Sequence, residues 1–279
     1  MTDDSAIDQE THGKFAILPH MGLGDAFVQK GLVASIAERA DEVVLIGKKR
    51  YEKSLFSIYD DIENLSFFLV DDDKDVSPAF GADGKAWLAL EKQGYAVIPL
   101  GYHTGNEDWL KIDTVWSRCL YKQLGVQPSA MHAKFGKIAV DEVKAADVLE
   151  KVVGKLGRTY VVVHDDPGRD MKIDEAWLPA GVPVVHVDDP LIKSDRLPDY
   201  LALIENATEF HGIDSCFALM ADMCIESWKG PKRVVHTTPG RPYTHPGFYR
   251  GTTVVDHGFA PRGIEEKEGG VAPDGTRFA

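Results

Sequence analysis

In FAILPHMGLGDAF, residues 15–27, two glycines and a carboxylate follow directly on an apolar run. A carboxylate at the end of a strand can take a proton from an incoming hydroxyl if it has the reach and a suitable pKa. Asp25 is placed for that role, and equally for capping a helix that begins near Ala26. Gly22 and Gly24 allow close backbone approach to a ligand, and the N–H groups of a helix start favour an anion. His20 lies just before them. The GxGxxG dinucleotide fingerprint is incomplete: Phe27 stands where the third glycine belongs, and no acid closes the next apolar run, VVLIGKK. No GK[ST] follows the glycines, so a Walker loop has no support either.

Three further stretches carry chemistry. VVVHDDPGRDMKID, residues 161–174, places His164, Asp165, Asp166, Arg169, Asp170 and Lys172 after a buried-type run. Arg169 and Lys172 could hold a diphosphate, Arg as a bidentate fork and Lys as a point charge. His164 with Asp165 or Asp166 could instead hold a divalent metal, echoed by His186 with Asp188 and Asp189; a solvated Asp-Pro-Gly turn is the plainer alternative. FHGIDSCFALMAD reads as a strand, a turn and a helix capped by Asp214 or Ser215, whose free N–H groups suit a phosphate. In TTPGRPYTHPGFYRG, Arg241, Tyr243, His245, Tyr249 and Arg250 could cover a sugar or a base, because aromatic and guanidinium planes both stack on rings. That stretch could equally be a rigid surface loop.

These groups need a scaffold, and the apolar pattern supplies one. FAILPH, DEVVLIG, LSFFLV and YAVIPL read as strands, alternating with helices AFVQKGLVASIAERA, KRYEKSLFSIYDDI, DGKAWLALEKQG and IDTVWSRCLYKQLG. After a turn-rich stretch near 125–140, the helix DEVKAADVLEKVVGKLG opens a second series. It contains the strands TYVVVH, PVVHV, TEFHGI, RVVHT and TTVVDHG and the helices RLPDYLALIENA and DSCFALMADMCIESW. Strands alternating with helices predict parallel sheets with helices on their faces. The expected fold class is α/β, with two Rossmann-like domains, 1–130 and 131–279, whose sheets face a central cleft. His20, His103, His164, His186, His211, His236 and His257 all fall at or just past the predicted strand ends, where open α/β sheets bind ligands.

Composition narrows the partners. Asp and Glu number 44 against 31 Lys and Arg, a net charge of −13, so nucleic acid is not expected as the main partner. The three cysteines, Cys119, Cys216 and Cys224, form no CxxC pair, which points to a reducing cytoplasm and away from a structural zinc. No apolar run reaches the ~18 residues of a membrane span.

The combination resembles GT-B type glycosyltransferases, most nearly the heptosyltransferase-like family 9 enzymes of bacterial surface polysaccharide synthesis. The matching residues are Gly22, Leu23, Gly24 and Asp25 for the family's GxGD loop, and Asp214 and Ser215 for its D-[ST]-G-x-x-H helix start. Cys216 and Leu219 stand where that motif has glycine and histidine. The resemblance implies a nucleotide-sugar donor bound by the second domain, a glycan or lipid-linked acceptor on the first, and Asp25 as the base for the acceptor hydroxyl. It implies inversion, no metal and no cofactor, with peripheral attachment to the inner membrane and the oligomeric state left open. Two other readings stand beside it: a metal-dependent hydrolase or phosphoesterase built on the His and Asp strand ends, and a non-catalytic nucleotide-sugar binding protein. A nucleotide-sugar epimerase of the same build is a third.

Overall fold

The computed structural model describes residues 13–258 apart from 73–74, 76–84, 114, 227–229 and 242–248. The first series gives β1 (Lys14–Leu18), α1 (Leu23–Ala37), β2 (Glu42–Lys48), α2 (Glu52–Ile58), β3 (Leu65–Val70), α3 (Lys85–Lys92), β4 (Ala96–Pro99) and α4 (Trp116–Gln123). Its strands pair in parallel in the order β3-β2-β1-β4. The side chains of these short apolar runs alternate between two buried faces. Ile17, Val43 and Leu45 pack with α1 and α2, while Ala16, Leu18, Val44 and Ile46 pack with Ala86 and Leu90 of α3.

A short helix, α5 (Ala130–Ala133), lies against α1, and the following segment is tied to α2 by the Ala139 N–H to Ser57 O bond of 2.8 Å. The second series gives α6 (Glu142–Leu156), β5 (Val161–His164), β6 (Val184–His186), α7 (Leu201–Glu205), β7 (Glu209–Ile213), α8 (Cys216–Cys224), β8 (Lys232–His236) and β9 (Thr253–Val255). This sheet is also parallel, in the order β6-β5-β7-β8-β9. Each sheet reverses direction once, between β1 and β4 and between β5 and β7. A crevice for ligands opens outside the carboxyl ends at such points.

Two connections have local causes, and the second departs from the sequence-based expectation. The β5–β6 crossover contains no α-helix; 3-10 turns at Pro167–Arg169 and Glu175–Trp177 replace it. Its Asp, Gly and Pro residues favour turns, and Met171 and Ile173 cover the β5 face formed by Val161 and Val163 directly. The segment read as one helix from Arg196 begins instead as a 3-10 turn, Leu197–Tyr200, with Pro198 in its first turn, and continues as the five-residue α7.

The two sheets share one apolar core. Phe27, Val28 and Leu32 of α1 belong to the same buried cluster as Phe210 of β7 and Ala218, Leu219 and Met220 of α8. Polar contacts bridge a second point, where Arg196 donates to Ser57 Oγ at 2.8 Å and the Leu197 N–H to Ser54 Oγ at 2.9 Å.

Candidate active site

α1 and α8 lie side by side and run the same way. A Cβ added to Gly24 at the start of α1 would sit 3.4 Å from Leu219 and 3.5 Å from the Cys216 nitrogen at the start of α8. Further along, Lys30 of α1 lies close enough to Cys224, the last residue of α8, to act on its thiol. The two helix starts, each following a strand that borders its sheet's reversal point, therefore present their first-turn N–H groups and positive dipole ends together.

Asp25 belongs to this junction. It is not the N-cap; α1 starts earlier, at Leu23, with Gly22 as N-cap in extended geometry and Asp25 three residues in. From there its Oδ2 accepts the Gly22 N–H at 3.0 Å, the reciprocal half of a capping box. Gly22 makes room for this: a Cβ at that position would fall 2.4 Å from the same Oδ2 and displace the carboxylate. Burial pushes the Asp25 carboxyl up to about 6, against the opposing pull of the Gly22 N–H, Arg241 and Lys48, with Asp214 adding to the rise. A carboxylate of that basicity is suited to accept a proton near neutral pH. Gln29, one turn on, holds the local frame: its amide donates to His20 O at 3.0 Å and Asp25 O at 2.9 Å, and accepts from the His20 N–H.

On the facing side, Ser215 is the N-cap of α8, accepting the Ala218 N–H at 3.5 Å. Its Oγ also lies 2.9 Å from Nδ1 of His164, the last residue of β5. Asp214 is engaged by its neighbours: Arg241 reaches its carbonyl at 3.0 Å and its carboxylate at 3.5 Å, and the Tyr249 hydroxyl donates to Oδ1 at 2.6 Å. These contacts hold the Arg241 guanidinium and the Tyr249 hydroxyl beside the start of α8. Arg169 is exposed and paired with Asp166 at 2.6 Å, yet close enough that both it and Arg241 act on the Cys216 thiol. Burial nonetheless pushes that thiol up to about 11, so Cys216 is protonated and unreactive at neutral pH. Gly240 locks the two arginine-bearing loops together; its N–H bonds Asp170 O at 3.1 Å, and a Cβ there would fall 2.6 Å from Arg169 O.

The structure thus brings Gly22, Gly24, Asp25, His164, Arg169, Asp214, Ser215 and Arg241 to one junction. Lys172 is exposed between buried Met171 and Ile173, and no hydrogen bond or ion pair among the described residues ties it to the α8 start. His20 packs at this junction's edge: its ring stacks on Trp116 at 5.6 Å, lies tilted by 34° against Tyr102 at 3.9 Å, and accepts the Tyr102 N–H. Burial holds it down to about 3, so it stays neutral. Tyr243 and His245 lie outside the described residues. Gln29 and Lys48 join the site without having been singled out, and Tyr249, read as a ring cover, here donates to Asp214. Only Gln29, four residues after Asp25 on the same helix face, left a readable signal.

The histidine pattern divides. His164, His186 and His236 end their strands, and His20 and His257 lie two residues beyond theirs. His211 does not follow the pattern; it sits inside β7, buried. It belongs to a row crossing the second sheet: Glu209 Oε2 to His211 Nε2 at 2.8 Å, His211 Nδ1 to His236 Nε2 at 2.9 Å, and His236 Nδ1 to His257 Nε2 at 2.9 Å. His186 lies 3.6 Å from Asp165. Among the described residues, no three His, Cys, Asp or Glu side chains converge as metal ligands would.

No protein-family model matches the chain, and no curated protein matches it. Among solved structures, it is similar to a glycosyl transferase family 9 protein from Veillonella parvula DSM 2008. The two share 12% identity over 88% of this chain and 85% of that one, with a TM-score of 0.51. The fold is GT-B-like. A second structure, the bacterial iron-containing dodecameric glycosyltransferase TibC from enterotoxigenic E. coli H10407, shares 12% identity over 88% of this chain and 63% of that one, with a TM-score of 0.47. At such identity the likeness concerns the path of the chain, since one fold hosts many chemistries.

Proposed function

We propose that the protein is a glycosyltransferase that moves a sugar from a nucleotide-sugar donor to the hydroxyl of a glycan or lipid-linked acceptor. One observation carries this reading: within a GT-B-like fold, a basic half-buried carboxylate from the first domain meets an arginine-flanked helix start of the second.

The donor diphosphate lies over the start of α8, where backbone N–H groups, Arg241 and Arg169 neutralise the charge that grows on the leaving nucleoside diphosphate. Lys172 is the more distant cation of the same loop. Asp25 takes the acceptor proton as the oxygen attacks the anomeric carbon. Attack by a directly activated acceptor proceeds with inversion, and the guanidinium groups with the helix dipole take the place of a metal. The acceptor class connects the protein to surface polysaccharide or glycoconjugate synthesis at the cytoplasmic side of the inner membrane.

A thermal-shift screen against nucleoside diphosphates and nucleotide-sugars, with and without chelator, tests this reading. Stabilisation by at least one of them, insensitive to chelator, is expected. The absence of any shift refutes it, and loss of the shift with chelator favours the metal-dependent hydrolase. Binding without transfer to any acceptor, unchanged by Asp25→Asn, favours a non-catalytic binding protein.

A further inference from the structure

The pair His164–Ser215 is more specific than phosphate binding requires, and its hydrogen-bond bookkeeping determines where the imidazole proton sits. Ser215 Oγ is an acceptor for the Ala218 N–H, so its own proton is free to be donated, and Nδ1 of His164 lies 2.9 Å away. A neutral ring that accepts at Nδ1 carries its proton on Nε2. The ring plane is set by Phe217, whose centroid is 4.4 Å away and tilted by 31°. Nε2 has no partner among the described residues, and His164 is half-buried.

The groups acting on the ring are Asp166 and Arg169 from the β5–β6 crossover and Asp188 from beyond β6, with Ser215 and Phe217 packed on it from α8. Burial outweighs the two acids and holds His164 down to about 4, so the ring is neutral where the enzyme would work.

We propose that His164 is a neutral donor of fixed tautomer for the anion site. Ser215 donates to Nδ1, which keeps the ring proton on Nε2, and that N–H meets a phosphoryl oxygen held over the start of α8. The assignment rests on the transferase reading above and adds a role to it. A neutral donor recognises the diphosphate without adding a further cation beside Arg169 and Arg241. It also gives Ser215 a purpose other than nucleophile. The hydroxyl is committed as a cap, and its backbone, φ −158° and ψ 173°, is relaxed and extended rather than the strained turn of a nucleophile elbow.

Two measurements on the full chain test it. In long-range 1H–15N spectra of histidine-labelled protein at pH 7, His164 is expected as the Nε2–H tautomer, shifting to a mixture in Ser215→Ala. An imidazolium or an Nδ1–H ring at pH 7 overturns the assignment. Calorimetric titration with pyrophosphate and with a panel of nucleoside diphosphates then reads the role. His164→Phe, which keeps the packing on Phe217, should weaken binding roughly ten- to a hundredfold, as expected for one hydrogen bond to a charged group. His164→Gln, whose amide can place a donor near the former Nε2, should recover most of it. Binding that His164→Phe leaves unchanged overturns the role of His164 while the transferase reading stands. Binding of no probe to the native chain overturns both, with the spectra still reporting the tautomer. Covalent labelling of Ser215 by a fluorophosphonate would make it a nucleophile and also overturn the proposal.

Discussion

Replacing Asp25 by asparagine separates a structural cap from a base kept at a cost to stability. Asparagine preserves the shape and an oxygen to accept the Gly22 N–H now held at 3.0 Å, and removes only the charge. The folded carboxyl titrates at about 6 against an ordinary 3.8, because burial disfavours the anion. As pH rises from 3.8 to 6 the unfolded chain releases this proton before the folded one does, so the group destabilises the fold progressively and fully above pH 6. The gap of roughly two pH units corresponds to at most about 3 kcal/mol. Asp25→Asn should therefore raise the melting temperature at pH 8 by up to about 5–10 °C for a chain of this size. At pH 3.5, where the carboxyl is mostly protonated in both states, the two proteins should melt nearly together. Thermal melts from pH 3.5 to 8.5, followed by circular dichroism, would show the two curves diverging between pH 4 and 6. An asparagine variant less stable than the native chain by the same amount at every pH would refute the reasoning, and would reduce Asp25 to a cap. Transfer activity, in the same variant, should fall by the 10²–10⁴ typical of a lost general base.

Other expectations follow from single contacts. His164 and His236 are both held down to about 4 by burial, so the unfolded chain gains their protons first on acidification; each should remove about 1.4 kcal/mol of stability per pH unit between 6.5 and 4, measurable by urea unfolding across that range. Gly22→Ala should lower activity at little cost in melting temperature, because the added Cβ displaces the Asp25 carboxylate rather than backbone. Gly31→Ala should destabilise by about 3 kcal/mol in urea unfolding, since its Cβ would fall 2.2 Å from the Ala130 carbonyl oxygen. Arg233, buried with its guanidinium on the carbonyls of Ala221 and Ile225 at the end of α8, should cost about 2–4 kcal/mol when cut to alanine, leaving those carbonyls unpaired.

The parallel α/β architecture was legible because short β-branched runs such as VVLIG and YVVV alternate with amphipathic stretches, a pattern set by local packing alone. Crossover detail was partly so: the Asp-Pro-Gly turn offered for the stretch after His164 is present as the 3-10 turn at Pro167–Arg169. The helix read over KRYEKSLFSIYDDI contracts to a 3-10 turn and the seven residues of α2. In the site, the GLGD loop and the DS helix start were readable as segments, each with its own local grammar of turn, cap and helix. What pairs them was not. Tyr249 lies 35 residues from the Asp214 it donates to, and His164 lies 51 from Ser215, separations that only the sheet order closes. His211 was misplaced for the opposite reason: a histidine inside a strand is unexpected until Glu209 and His236 appear on the same face to satisfy it.

The shared core at the α1–α8 seam bears on how ligands enter. Domains joined by a small polar contact are free to hinge, whereas a large apolar contact welds them. Here Phe27, Val28 and Leu32 are packed in one cluster with Ala218, Leu219 and Met220, and swinging the halves apart would expose that seam to water. The cost of arranging Asp25 against the arginine-flanked helix start is then met once, during folding, rather than at every turnover. On the proposed reading such a junction is preorganised for its ligands.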